Sequence, residues 1–116
     1  MGDVIDKNTA THYQWGNRCD SWVLADTAGL SVKQEHMPGG TREQLHFHTN
    51  AQQFFFVLSG TATFYLEGNK IIVAEQKGIL VRPETRHFIA NETTGELHFL
   101  VISQPTTNRD RTVIED

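Results

Sequence analysis

A chain of 116 residues can bury a core of its own but is too short for two such domains. Ten basic against fourteen acidic residues give a net charge of −4 and a pI near 5.8, with no clustered Lys/Arg run, which excludes a nucleic-acid footprint. Cys19 is the single cysteine, so neither a disulfide framework nor a thiolate metal cluster is available.

The opening Met-Gly-Asp-Val-Ile-Asp has neither a basic end nor an apolar stretch, so no secretory signal is read there. Tyr13 and Trp15 follow in the N-terminal segment, and His12 beside them has no partner pattern. From there the chain reads as short strands bounded by turn residues. The first covers residues 21–25 and ends at the polar Asp26-Thr27-Ala28-Gly29. Residues 30–37 alternate and stop at the breaker Pro38-Gly39-Gly40. Strands are then expected over 43–48, 53–59 and 61–67, with Gly68-Asn69 as a two-residue hairpin turn into 70–74. Residues 78–81, 87–90 and 97–103 complete the set, and no segment shows helical periodicity. The tail, 105–116, is polar and is expected to lie along the outside or fray.

Regular short strands with Gly- and Pro-rich turns mean a sandwich or barrel. Within it, Phe54 to Leu58 is apolar on both faces, where a half-exposed strand would alternate. The run is also far too short to cross a bilayer. If Gln53, Phe55 and Val57 point inward, then Phe54, Phe56 and Leu58 need cover from another layer or a second subunit. The expectation is a homodimer, since burying three such side chains contributes several kcal/mol, at about 1.5–3 each.

The chemistry concentrates at His46-Phe47-His48. In an extended strand these histidines project to one face, their Cα atoms about 6–7 Å apart, close enough to converge on one ion. Gly40 stands six residues before His46, Gln53 follows His48 after four residues, and Gly60 follows Gln53 after six. This spacing resembles the first motif of the cupin family over residues 40–60, with glutamine where most members carry glutamate. Residues 76–91 resemble the second motif: Pro83, His87 and Asn91 fit, while Gln76, Arg82 and Glu84 stand where glycine, proline and glycine are expected. The tight turn before His87 is thus left without its usual glycines.

The resemblance implies one cupin domain over residues 1–116, all-β, a double-stranded β-helix or jelly-roll barrel. It implies a metal site of His46, His48, Gln53 and His87 holding one divalent transition metal, drawn from Mn, Fe, Ni, Zn and Cu. An amide cancels none of the metal's charge, so the ion would be held less tightly yet act as a stronger Lewis acid. The function implied is binding of, or action on, a small polar organic molecule. Some cupin lyases use three histidines plus glutamine, which favours lyase or isomerase chemistry slightly over dioxygenase chemistry. The alternative is a non-catalytic ligand-binding module with a weak or lost metal site. A reducing cytoplasm is the expected setting, with neither membrane nor nucleic acid as partner.

Several residues stay open on sequence grounds. In 30–37, Gln34 and His36 share one face and Glu35 and Met37 the other, and either face can line the cavity. Glu35, Glu43 or His36 is a candidate base if inward. His98 points outward if Leu97 and Phe99 fill the core. Arg82 and Arg86 either bind an anion at the barrel mouth or pair on the surface with Glu84 or Glu75, the second being favoured. Trp15 and Trp22 read as core or dimer contacts rather than substrate platforms.

Overall fold

The structure, a computed structural model, describes residues 2–115. Its strands are β1 (Thr11–Trp15), β2 (Cys19–Asp26), β3 (Ser31–Met37), β4 (His46–Phe47), β5 (Gln52–Ser59), β6 (Ala62–Leu66), β7 (Asn69–Val73), β8 (Gly78–Val81), β9 (His87–Ala90), β10 (Leu97–Gln104) and β11 (Thr112–Val113). They form two antiparallel sheets, ordered β1-β2-β3-β10-β5-β8 and β11-β4-β9-β6-β7. This is the all-β jelly roll expected. Among the described residues, no helix is long and apolar enough to cross a membrane.

Alternation along the strands builds both the core and the cavity. On β10, Leu97, Phe99, Val101 and Ser103 are buried between the sheets while His98, Leu100 and Ile102 face out. On β5 the inward set is Gln53, Phe55 and Val57. Register aligns them: Ser103 opposes Gln53 and Ser31, and Val101 opposes Phe55 and Lys33. One end of the barrel is therefore packed with Met37, Val57, Phe64, Leu97 and Phe99, and the other end turns polar. Phe55 sits at the boundary, edge-on to Phe64 at 5.0 Å between centroids. Cys19 is fully buried in the core.

Two local readings are corrected. Thr11–Trp15, outside the expected strands, is a strand paired residue for residue with β2, with Tyr13 and Trp15 on one face and His12 and Gln14 on the other. The strand expected over 43–48 shortens to His46–Phe47, and the preceding segment follows β9 through an Arg42–Ala90 bridge and the Glu43 N–H to the Ile89 carbonyl. The tail lies along the outside as expected, but it does not fray: Thr112 and Val113 add an edge strand by pairing with Phe47 and His46, and none of residues 105–115 is buried.

The second-motif turns keep their shape without glycine. Gln76 and Glu84, in the two glycine positions, both take left-handed backbone, φ 62° and 65°. The Glu84 N–H donates to the His48 carbonyl at 2.7 Å, binding this turn to the first motif. Gly60 has no such latitude: at φ 89° a Cβ there would lie 2.4 Å from the Glu96 carbonyl oxygen. Asn91 is a buried structural residue, donating to the Met37 and Gly95 carbonyls at 2.9 Å each.

Candidate metal centre and its cavity

His46 and His87 are direct cross-strand partners on β4 and β9, so their rings share the inner face at 4.4 Å between centroids. His48 lies two residues on, its ring 5.0 Å from His46 and 5.6 Å from His87. One nitrogen from each of the three lies within 4.8 Å of the others, and all three side chains are buried. Gln53 enters from the opposite sheet.

The ring orientation follows from the far nitrogens. Nδ1 of His46, His48 and His87 faces the backbone carbonyls of Gln44, Asp110 and Thr85 at 2.7, 2.5 and 2.7 Å. A carbonyl only accepts, so each Nδ1 carries the proton and each Nε2 presents a lone pair. Nε2 of His48 and of His87 has no protein partner, and neither has Oε1 of Gln53, whose amide nitrogen donates to Ser103 Oγ at 3.1 Å. Burial holds His46 down to about 3 and His87 down to about 4, and it lowers His48 as well, so all three are neutral at pH 7. Buried acceptors converging without donors are what a cation requires, so the donor set fits a divalent ion.

His46, His48 and Gln53 line a cavity of about 230 Å³ between the sheets, while His87 is fully buried behind them. Glu35 and Glu43 are half-buried in its wall, which settles the β3 face: Glu35 is inward and His36 outward. Burial pushes Glu43 up to about 8, with Glu35 adding and Arg111 opposing. Burial also raises Glu35, against the Ser21 hydroxyl that donates to it. Phe55 and Val101 form an apolar side. Trp15 lines this cavity, with a buried Nε1 that has no acceptor, rather than serving only the core.

Other candidates lie elsewhere. His36 bridges Asp20 and Glu96 on the outer face, at 2.9 and 2.7 Å, with His98 stacked on it at 4.8 Å. His12 reaches the same Asp20 at 2.8 Å. Arg82 and Arg86 are exposed, are not among the cavity's wall residues, and form no ion pair within 4.0 Å among the described residues. The cavity's cations are Lys33 and Arg111 instead. Sequence reasoning missed Arg111 because the tail carries no pattern; the adjacent Asp110, able to accept several backbone N–H groups, was the available signal.

Known proteins match this arrangement at the level of fold. A protein of Methanocaldococcus jannaschii without assigned activity is 27% identical over 84 residues, covering 72% of this chain and 67% of its own length. A cupin-superfamily sugar phosphate isomerase from Silicibacter pomeroyi superposes with a TM-score of 0.78 at 16% identity, over 90% of this chain and 76% of that one. A predicted oxalate decarboxylase from Thermotoga maritima gives 0.81 at 16% identity, over 90% and 100%. The family model for the cupin domain matches residues 33–103, well over half the chain and spanning all three clustered histidines, so this protein belongs to the cupin domain family.

Proposed function

We propose that this chain is a metal-dependent cupin that binds or acts on a small polar organic molecule, with one divalent transition metal held by His46, His48, His87 and Gln53. The observation that carries this reading is the shared tautomer: three Nδ1 protons given to backbone carbonyls, so that each Nε2 keeps a lone pair, in three side chains whose ligand nitrogens lie within 4.8 Å of one another. Imidazole nitrogens with an amide oxygen suit Mn, Fe, Ni, Zn or Cu. When bound, such an ion supplies Lewis acidity that a neutral amide leaves undiminished.

This chain's own groups supply the rest. Phe55 and Val101 exclude water from one side, and Glu43, a carboxylic acid at neutral pH, holds a transferable proton at the wall. Proton-handling acids beside a Lewis acid suit isomerase or lyase chemistry, and the named neighbours include an isomerase and a predicted decarboxylase. The outer face, with Phe54 39% and Leu80 43% exposed, supports pairing with a second copy, and a lone buried thiol suits a reducing cytoplasm.

Elemental analysis of freshly purified protein, with His46→Ala and His48→Ala in parallel, tests the centre. Near-stoichiometric metal in the native chain and its loss in both variants is the expected result. Absence of metal after stoichiometric supply overturns it, and tight ligand binding that survives chelation without turnover points to a binding module instead.

A further inference from the structure

The C-terminal segment is held to the barrel on both sides of one residue. Ahead of it, the Asp110 carboxylate accepts the backbone N–H groups of Thr49, Asn50 and Ala51 at 2.7, 3.0 and 3.0 Å, and the Asp110 carbonyl accepts His48 Nδ1–H. Beyond it, Thr112 and Val113 pair with β4, and the Ile114 N–H donates to the Leu45 carbonyl at 2.9 Å. The residue so bracketed is Arg111, which lines the histidine cavity.

Arg111 has no partner of its own there. Among the described residues it forms no ion pair within 4.0 Å, although Glu35 and Glu43 share the cavity wall. A guanidinium offers five donors in a planar fork and no acceptor, the geometry that meets an oxyanion bidentately. From the facing sheet, Lys33 adds a second positive charge, its Nζ positioned by the Tyr13 hydroxyl at 2.9 Å. The buried Trp15 Nε1 adds a neutral donor that lacks an acceptor. Among the described residues the acidic groups of this wall, Glu35 and Glu43, form no ion pair with Arg111 or Lys33 within 4.0 Å, and the Gln53 amide carries no charge.

We propose that Arg111, with Lys33 beside it, forms an oxyanion subsite, so that the ligand of this cavity is a small organic anion whose carboxylate or phosphate sits on the guanidinium. The assignment rests on reading the histidine cavity as the ligand site and deepens it by naming the ligand's class. The strap 105–115 is then part of the site, because latching by Asp110 is what delivers Arg111.

Calorimetric titration of the full chain with malonate and with inorganic phosphate tests this, using chelator-treated and metal-loaded protein in parallel. At least one probe binds the native protein, and the tighter of the two distinguishes a carboxylate from a phosphate ligand. Arg111→Ala and the bulk-preserving Arg111→Gln weaken that binding about tenfold or more, as loss of charge-assisted hydrogen bonds requires. Arg111→Lys weakens it less, and Arg82→Ala leaves it unchanged. Metal content of the Arg111 variants stays at the native level. Native-like binding by folded Arg111→Ala and Arg111→Gln, or binding of neither probe by the native protein, overturns the subsite. A native chain that holds no metal yet loses oxyanion binding with Arg111 sinks the metal centre alone.

Discussion

The backbone carbonyl of Asp110 accepts the Nδ1 proton of His48 at 2.5 Å, across 62 positions of sequence. The same residue's carboxylate gathers the N–H groups of residues 49–51, so one aspartate both orients a histidine and closes the loop behind it. Asp110→Ala leaves those donors without their anion and should cost about 1–3 kcal/mol in urea unfolding, with Asp110→Asn recovering part. Burial works to raise the Asp110 carboxyl, but the three N–H groups and His48 outweigh it and hold it below 3.8. Its contribution is therefore present above pH 3.8 and disappears as pH falls through the lower folded value. An Asp110→Ala protein as stable as the native one would show that the strap is not latched here.

Stability of the metal-free protein should peak near pH 6.5. Burial lowers His46, His48 and His87, so the unfolded chain takes up their protons first and stability falls as pH drops below 6.5. Glu35 and Glu43 are raised by burial and oppose this between pH 4.5 and 6.5, but three imidazoles outweigh two carboxyls. Above 6.5 the signs agree. Burial pulls His36 down, yet Asp20 and Glu96 outweigh it, so its raised value gives stability that is lost as pH rises through it. Glu43 loses its own contribution toward about 8. Thermal melts from pH 5 to 9 read the dome, and His36→Gln should flatten its alkaline limb. Stability that keeps climbing beyond pH 6.5 contradicts the assignment.

Gln53→Glu should hold divalent metal more firmly through dialysis against a chelator. The carboxylate cancels one unit of the ion's charge where the amide cancels none, at the same side-chain length. Residual metal measured by elemental analysis decides it. Equal or weaker retention means that Gln53 does not touch the ion.

Glu84→Gly should stabilise the protein by roughly 0.5–1 kcal/mol, because the left-handed backbone at Glu84 strains a residue bearing a Cβ and costs glycine nothing. Gln76→Gly should behave alike at φ 62°. Chemical denaturation measures both, and a loss of stability in each would mean that side-chain contacts outweigh the backbone term.

Sedimentation velocity addresses the outer face. The stacked pair Phe54 and Phe56 and the exposed Leu80 lie on neighbouring strands β5 and β8, so Phe54→Glu should convert a dimer to a monomer while the melting temperature stays within a few degrees. A native chain that sediments as a monomer removes the dimer.

Much of this molecule was legible in one dimension because strand geometry is a local rule. Period-two alternation put His46 and His48 on one face, turned His98 outward from Leu97 and Phe99, and marked Gln53, Phe55 and Val57 as the inner set of β5. Turn residues set most strand limits, and motif spacing identified the family. Alternation could not say which face of β3 is inside, since Glu35 and His36 are equally polar letters. Only the stacking of two sheets decided that Glu35 enters the cavity and His36 bridges Asp20 and Glu96. Nor could it see Asp110–Arg111, whose structure comes from partners distant in sequence rather than from a pattern of their own. Residue order by itself determined the strands and the shared face of His46 and His48, because those follow from local periodicity, whereas His87 meets them only through the pairing of β9 with β4. The charged wall facing them was decided only by the tertiary fold, because long-range pairing brings the two ends of the chain to one cavity.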